Sequence, residues 1–179
     1  MKRNCVILKW NPAISSYSMF DFLGHIICGE PESDWSVYEY DKVKTGDQFF
    51  MLKVGIGTCG IVASGIITSD PEIDADWSGR GRKVYYSDYK CDFMVNPETL
   101  PILERGVLED NLPGVDWKGG HSGVVLDDEQ ASVLNRLFDK YLHENAAIFA
   151  DRLELMEKRD MDNDQIYIEA ELFEKIQGK

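Results

Sequence analysis

The feature that most constrains the fold is the segment of residues 46–69, GDQFFMLKVGIGTCGIVASGIITS. It opens on a Gly-Asp turn pair and contains two apolar runs, at residues 49–52 and 60–67. Runs of aromatic and β-branched residues bounded by glycine are typical of strands, and the glycine-bearing link between them is typical of a hairpin or tight loop. Gly60 and Gly65, inside the second run, predict sharp bends or a close approach of two backbones. A small curved barrel needs such positions, so we expect the chain to be built around this hairpin.

Apolar stretches on both sides of the hairpin predict further strands, over residues 5–8, 35–40 and 84–95. Over residues 15–28 the apolar side chains recur every three or four positions, which is typical of one amphipathic helix with Ser16 or Ser18 as its cap. Residues 72–83 are polar and predict a long loop. Helices between consecutive strands, which a parallel α/β sheet would need, are missing. The sequence therefore predicts an α+β fold, a small mixed β-barrel of about five to six strands with flanking helices.

The C-terminal part predicts a different element, a long helix that begins at Asp127-Asp128-Glu129. After Lys158 the chain turns acidic and ends in a short segment that fits a helix or a strand. We therefore divide the chain into a barrel domain, residues 1–126, and an acidic helical extension packed on it, residues 127–179.

The acidic run from Asp160 to Glu171 imitates the oxygen spacing of an EF-hand calcium loop. Gln165 stands where that loop needs a glycine, and Ile168 stands at a ligand position. A plain acidic turn is therefore the favoured interpretation, and calcium binding is the alternative.

The charge balance weighs against broad attraction to nucleic acid. The 179 residues carry a net charge of −13, and residues 127–179 hold 7 Lys and Arg against 14 Asp and Glu. A nucleic-acid ligand would therefore need a local basic face on the first part of the chain.

Composition and cysteine usage indicate a compartment and exclude several classes of site. With 44% hydrophobic and 28% charged residues, the chain can bury a core. No apolar run approaches the roughly 18 residues of a membrane span, and the N-terminus lacks a signal-peptide pattern. The four cysteines never form a Cys-x-x-Cys pair, which disfavours a zinc knuckle or a disulfide framework. We expect a cytoplasmic protein without a cofactor or a metal.

Several stretches, taken in order, resemble the EVE-like branch of the PUA superfamily. The resemblance is strongest to EVE-like modules that precede HNH nucleases in modification-dependent restriction proteins, and more distant to YTH readers of methylated RNA. It covers residues 4–142 and lacks a following HNH motif. The segments that carry it are residues 7–12 (ILKWNP), 35–37 (WSV), 46–52 (GDQFFML), 60–65 (GIVASG), Trp77, residues 101–103 (PIL), Trp117 and residues 121–123 (HSG).

The resemblance implies a pseudo-barrel whose mouth holds a flipped or single-stranded modified base. Stacking on aromatic rings is worth about 1–3 kcal/mol per base, and a stacking pocket must offset the few kcal/mol that extruding a base costs. By position, the resemblance assigns the pocket lining to Trp10, Asn11, Trp35 and Ser36, with Trp117, His121 and Ser122 closing it. Trp10 and Trp35 also lie at predicted strand ends, where barrel mouths lie.

The densest basic stretch, residues 78–83 (SGRGRK), gives a second candidate feature. Bare backbone N–H groups and guanidinium forks both reach phosphate oxygens, so Arg80, Arg82 and Lys83 are candidate phosphate contacts. A solvated loop that offsets Asp74 and Asp76 is the alternative.

These patterns lead us to predict a non-catalytic module that recognises a modified base or nucleotide in DNA or RNA, within a restriction or defence system. A protein partner on the closing helix is a second expected contact. One alternative is a small enzyme that acts on a nucleotide-like substrate, with His121 as acid/base and Ser122 or Asp92 nearby. Another is an acidic protein-interaction module. A serine hydrolase is disfavoured because Val124 breaks the Gly-x-Ser-x-Gly pattern around Ser122.

Overall fold

The computed structural model describes residues 2–158 and 165–178, and over these residues it has nine strands and five helices. This is an α+β arrangement, as the sequence predicts. The strands are β1 Cys5–Trp10, β2 Glu32–Ser36, β3 Gln48–Lys53, β4 Gly60–Ile67, β5 Glu72–Ala75, β6 Lys83–Val95, β7 Leu103–Glu104, β8 Val124–Val125 and β9 Ile166–Ile168. The helices are α1 Met19–Cys28, α2 Arg105–Asn111, α3 Asp128–Glu144, α4 Ala146–Lys158 and α5 Ala170–Gly178.

All nine strands belong to one curled sheet with the order β2-β6-β4-β3-β1-β8, and the short strands β5, β7 and β9 pair with β6, β4 and β6. The predicted hairpin is its centre, since β3 and β4 pair antiparallel. β1 pairs parallel to β3, and every other pair is antiparallel. The mixed sheet is therefore confirmed, with more and shorter strands than the five to six expected.

Two glycines of β4 allow close approach of neighbouring backbones, as predicted. A Cβ on Gly60 would overlap the carbonyl of Leu103 in β7, and a Cβ on Gly65 would overlap that of Lys90 in β6. The pairing of β4 with β6 also shifts register between Ser64 and Gly65. These positions let the long strands bend without losing their neighbours.

Backbone hydrogen bonds also link the segment that follows β2 to the segment that precedes β8. Just after β2, Val37 N donates to Tyr85 O and Tyr38 N donates to Ser122 O, both at 2.8 Å. On the other side, Gly123 N donates to Ile7 O of β1, also at 2.8 Å. Gly123 has φ +83°, and a Cβ there would lie 2.5 Å from the Val37 Cα. A glycine is therefore required where these two segments meet.

The helices of the C-terminal part share the core of the sheet. Phe93 of β6 packs against Phe138 of α3 and Phe149 of α4, with ring centroids 5.6 and 5.7 Å apart. The Tyr141 hydroxyl donates to Pro101 O at 2.7 Å. β9 pairs with β6, so the C-terminal part adds a strand to the sheet as well as helices to its surface.

Three sequence-based expectations need correction. The single long helix is wrong, because Asn145 ends α3 and a second helix, α4, starts at Ala146. The strand expected over 35–40 lies earlier, at β2, and the loop expected over 72–83 contains β5. The caps at Ser18 and Asp127 are confirmed, each as a reciprocal capping box. Residues 160–164 of the calcium-like run lie outside the described residues.

Candidate binding site

A cavity of about 570 Å³ opens between β2 and the chain that leaves β1. Its volume falls within the roughly 300–1,000 Å³ of small-molecule sites. Aromatic, hydroxyl and cationic side chains share its wall, and Asp34 is the one carboxylate residue among the described residues that line it. The lining residues are Lys9, Asn11, Ile14, Ser15, Ser16, Tyr17, Ser33, Asp34, Trp35, Ser36, Val54, Trp77, Arg82, Tyr86, Lys118, Gly119, Gly120, His121 and Ser122.

Trp35 is the half-buried ring of the cavity wall, and contacts on two sides fix its orientation. Its indole Nε1 donates to Lys9 O at 3.1 Å. Its ring meets that of Tyr17 edge-on, with centroids 5.6 Å apart and planes at 84°. Tyr17 is held in turn, because its hydroxyl lies 2.8 Å from His25 Nδ1. The indole is therefore positioned before any ligand arrives.

The edge of β2 that faces away from β6 pairs with no other strand among the described residues, and residues of β2 line the cavity. Cys91 N donates to Pro31 O and Val37 N donates to Tyr85 O, so odd-numbered residues of this strand bond to β6. In an antiparallel pair the intervening residues direct N–H and C=O away from the partner strand. Asp34 and Ser36 are such residues and both line the cavity. Their main-chain groups therefore offer alternating donors and acceptors to a ligand.

Asp34 is exposed at the same edge, directly opposite Asp88 of β6. Partial loss of water contact raises the pKa of the Asp34 carboxyl, and the nearby Asp88 and Asp74 raise it further. The carboxyl is thus easier to protonate than an isolated aspartic acid.

The opposite wall is built on the end of β1. Lys9 N donates to Ser122 Oγ at 2.8 Å, and Lys9 Nζ donates to Gly119 O. Partial burial lowers the pKa of Lys9, and the nearby Asp116 carboxylate opposes that shift. Gly120 has φ +77°, and a Cβ there would lie 3.2 Å from Lys9 Nζ. Because Gly120 has no side chain, the Lys9 ammonium has room beside this loop.

The loop of residues 76–82 carries Trp77 to the cavity, and Asp76 holds that loop together. The buried Asp76 carboxylate accepts hydrogen bonds from Ser78 N at 2.9 Å, Ser78 Oγ at 2.7 Å and Arg82 Nε at 2.8 Å. Trp77 N donates to the Tyr86 hydroxyl at 2.8 Å. Arg82 and then Ser78 hold the pKa of Asp76 well below its usual range.

We predict that Asp76→Asn releases Trp77 from its ordered position. The variant should also lose the change in loop order that the wild type undergoes when Asp76 is protonated in acid. The folded pKa of Asp76 is depressed, so its contribution is present above the ordinary value of about 3.9 and is lost as pH falls below it. At neutral pH the variant should show stronger acrylamide quenching of Trp77, which is 44% exposed while the other three indoles are less so. In the wild type, quenching should rise as the pH is lowered below about 4.

Asp74→Asn is the matched control, because Asp74 carries the same charge nearby and accepts from the adjacent Ala75 N at 2.7 Å. It should leave the quenching profile unchanged. Equal profiles for Asp76→Asn and the wild type would show that Asp76 does not order the loop.

The cavity brings together six of the ten predicted contact residues. They are Asn11, Trp35, Ser36, His121, Ser122 and Arg82. Arg80 and Lys83 are exposed and lie outside the cavity lining, and Lys83 starts β6 opposite Ala75.

The prediction that Trp10 and Trp117 line the cavity is wrong, because both indoles are buried in the core. Trp10 is 0% exposed, donates from Nε1 to Tyr17 O at 2.7 Å and packs on Phe22 at 4.9 Å. Trp117 is 1% exposed and donates from Nε1 to Leu112 O at 2.9 Å. Core packing with an internal acceptor satisfies both rings.

Sequence reasoning did not assign Tyr17, Asp34 and Tyr86 to the cavity. Tyr85 and Tyr86 are adjacent in a strand, so their side chains must point to opposite faces of the sheet. This alternation is a sequence signal that identifies both tyrosines as candidates for the cavity wall. Asp34 precedes the strand expected over residues 35–40, and it lines the cavity because β2 starts earlier, at Glu32. The residues around Tyr17 in the sequence do not distinguish it from any other aromatic residue next to a helix.

Of the groups of the enzymatic alternative, His121 and Ser122 both line the cavity, whereas Asp92 lies apart from them. Asp92 Oδ1 accepts from Ser64 Oγ at 2.6 Å and does not line the cavity. His121 stacks on the Tyr38 ring, with centroids 3.7 Å apart and planes at 3°. Across the part of the chain that the structure describes, no three histidine, cysteine, aspartate or glutamate side chains come together as a metal site requires.

Comparison with solved structures finds the same fold in proteins of low sequence identity. One is a hypothetical protein from Leishmania major, with a TM-score of 0.53 and 12% identity, covering 78% of this chain and 97% of that one. Another is a protein from Pseudomonas syringae, with a TM-score of 0.51 and 18% identity, covering 74% of this chain and 98% of that one. No protein-family description matches the sequence, and no curated protein matches it. The likeness concerns the fold alone.

Proposed function

We propose that this chain is a non-catalytic module that binds a modified base or nucleotide of DNA or RNA in the cavity beside β2. The observation that carries the proposal is that Trp35 and Trp77 line one cavity with Asp34 and Ser36, two residues whose main-chain groups are directed away from β6 by the strand register. Indole faces supply stacking energy to a planar heterocycle. Alternating N–H and C=O groups supply hydrogen bonds to its edge. The protein would distinguish a modified base from a plain one by whether the added chemical group fits between the indole rings and these main-chain groups.

The EVE-like assignment is part of the same proposal. In this proposal the sheet is a PUA-like barrel that the segment after β2 closes. The hydrogen bonds from Tyr38 N to Ser122 O and from Gly123 N to Ile7 O support that closure. The parallel pairing of β1 with β3 across an intervening helix is consistent with it. Of the residues that the resemblance assigns, Asn11, Trp35, Ser36, His121 and Ser122 line the cavity.

Stacking, and not neutralisation of phosphates, would provide most of the affinity. The net charge is −13, and cations of the cavity already face acids. Arg82 pairs with Asp76 at 2.8 Å, and Lys118 Nζ lies 3.7 Å from Glu109. Arg80 and Lys83 remain exposed candidates for phosphate contacts. We therefore propose a ligand held by its ring with few phosphate contacts.

A protein partner would supply any further activity, as in a restriction or defence system in the cytoplasm. Ile148 and Leu155 of α4 are exposed apolar residues on the C-terminal part and mark the surface proposed for that partner. The four cysteines are free, which fits a reducing compartment. No helix among residues 2–158 and 165–178 is long and apolar enough to cross a membrane.

The proposal predicts selective and salt-insensitive binding of modified bases. The probes are fluorescent pentanucleotides with a central 5-methylcytosine, 5-hydroxymethylcytosine, N6-methyladenine or the plain base, titrated by anisotropy. One modified probe should bind at least about tenfold more tightly than its plain counterpart, which corresponds to about 1.4 kcal/mol. The affinity should change with salt with a slope of about one or less, because a single strand releases about 0.7 counterions per phosphate contact.

Equal affinity for all these probes would contradict the proposal. A steep salt dependence with no selectivity would instead indicate nonspecific contact through Arg80 and Lys83. Free nucleoside monophosphates serve as the control that separates ring recognition from strand recognition.

A further inference from the structure

Two pairs of stacked aromatic rings lie on the surface beside the cavity. Tyr38 and His121 stack with centroids 3.7 Å apart and planes at 3°, and Tyr40 and Tyr85 stack at 3.6 Å and 10°. Tyr38 is 58% and Tyr40 is 45% exposed. None of the four residues belongs to the apolar core of the described chain. We refer to Tyr38, Tyr40, Tyr85 and His121 as the aromatic surface.

The aromatic surface is continuous with the cavity. His121 belongs to both, because it lines the cavity and stacks on Tyr38. The segment of residues 37–40 supplies one ring to each pair, and its backbone bonds to the two segments that supply the other rings: Val37 N donates to Tyr85 O and Tyr38 N to Ser122 O. Tyr85 stands two residues from Ser87, the register partner of Trp35, so it shares a face of the sheet with the Trp35 ring. A ligand beside Trp35 would therefore have the first pair at its side and the second pair next along the same segment.

The chemistry of the aromatic surface favours planar ligands. A ring in a parallel pair uses one face for its partner and leaves the other face for a third ring. Every nucleobase has such a face, so stacking tolerates any sequence. Lys42, two residues after Tyr40, already pairs with Glu39 at 3.0 Å, so the attraction of this surface for a ligand rests on its rings.

We propose that the aromatic surface binds the bases that flank the base held in the cavity, so that the ligand is a single strand and not an isolated nucleotide. This inference rests on the proposed function and extends it from one base to its neighbours. A duplex would keep those neighbouring bases stacked on each other, and their faces would be unavailable to the tyrosines.

A double-mutant cycle between protein rings and ligand rings tests the inference. The ligand is the tightest modified pentanucleotide of the titration above, compared with the same strand whose flanking nucleotides are abasic. The wild type should lose about tenfold in affinity when the flanking bases are removed. The variant Tyr38→Ala/Tyr40→Ala should bind the complete strand about tenfold more weakly, and removal of the flanking bases should then cost it little.

The controls separate this inference from the function on which it rests. The corresponding nucleoside monophosphate should bind the wild type and Tyr38→Ala/Tyr40→Ala equally well. Phe20→Ala, which removes an aromatic ring that is 83% exposed on α1 and outside the cavity, should change no affinity.

Each outcome decides one of the two proposals. If the modified monophosphate binds and abasic flanks cost the wild type nothing, the aromatic surface is not a base-stacking site and the proposed function stands. If the flanking bases matter equally in wild type and variant, the stacking lies elsewhere and the inference fails. If neither monophosphate nor pentanucleotide binds the wild type, the proposed function fails and the aromatic surface fails with it.

Discussion

Replacing Trp35 with alanine is expected to weaken binding of the preferred modified pentanucleotide by roughly five- to 150-fold, the equivalent of about 1–3 kcal/mol of lost stacking. Trp35 is the indole that two contacts hold against the cavity, one from Nε1 to Lys9 O and one edge-on contact with Tyr17. Its loss removes a preorganised face without moving the main-chain groups of β2. The measurement is anisotropy titration of the same probe against both proteins.

Trp35→Phe is the matched control for this result. It keeps an aromatic face but removes the hydrogen bond from Nε1 to Lys9 O, so it should retain most of the affinity. Circular dichroism and urea unfolding should show that both variants fold. If Trp35→Ala binds as tightly as the wild type, the cavity does not hold the base. If Trp35→Phe loses as much as Trp35→Ala, the hydrogen bond positions the site and stacking does not.

Elements with local causes could be predicted from the sequence. The hairpin of β3 and β4 follows from apolar runs bounded by glycine, and the caps at Ser18 and Asp127 follow from side chains three residues apart. The break at Asn145 was missed because the apolar periodicity continues across it. There the Asn145 side chain donates to Tyr141 O at 2.8 Å, a bond within the last helical turn that composition does not reveal.

The site was harder to predict because long-range pairing creates it. Trp10 and Trp35 both lie near strand ends and are indistinguishable in sequence. In the fold Trp10 is enclosed by Phe22 and Tyr17, whereas Trp35 lies on β2, whose second edge has no partner strand in the part of the chain that the structure describes. The cavity exists because β2 pairs with β6, about fifty residues later, and not with a neighbour in sequence. Local patterns do not encode that choice.

Asn11, which the family resemblance assigns to the pocket, lies in the cavity wall. It follows directly on β1 and is held beside the β3–β4 loop, where a Cβ on Gly55 would lie 2.7 Å from Asn11 Oδ1. Gly55 has φ +96°, so the glycine leaves room for the amide next to the cavity. The loop that supports Asn11 joins the two strands of the predicted hairpin, so this part of the cavity wall depends on local structure.

Replacing Trp10 with alanine is expected to lower the free energy of unfolding by about 3–5 kcal/mol, the usual cost of emptying a buried tryptophan site. The ring is fully buried against Phe22 and donates to Tyr17 O at 2.7 Å. The deletion therefore leaves a cavity and a main-chain carbonyl without its partner. Urea unfolding followed by far-ultraviolet circular dichroism measures the loss.

The structure predicts a second consequence of Trp10→Ala, on binding, that distinguishes it from other core truncations. Trp10 packs on Tyr17, and Tyr17 packs edge-on against Trp35, so the indole of the cavity loses its backing. Phe149→Ala is the matched control, because Phe149 is equally buried but packs against Phe93 and Tyr141, outside the cavity lining. Both variants should be similarly destabilised, yet at temperatures where both are folded only Trp10→Ala should weaken binding of the modified probe. Equal affinities for the two variants would show that Tyr17 alone is sufficient to position Trp35.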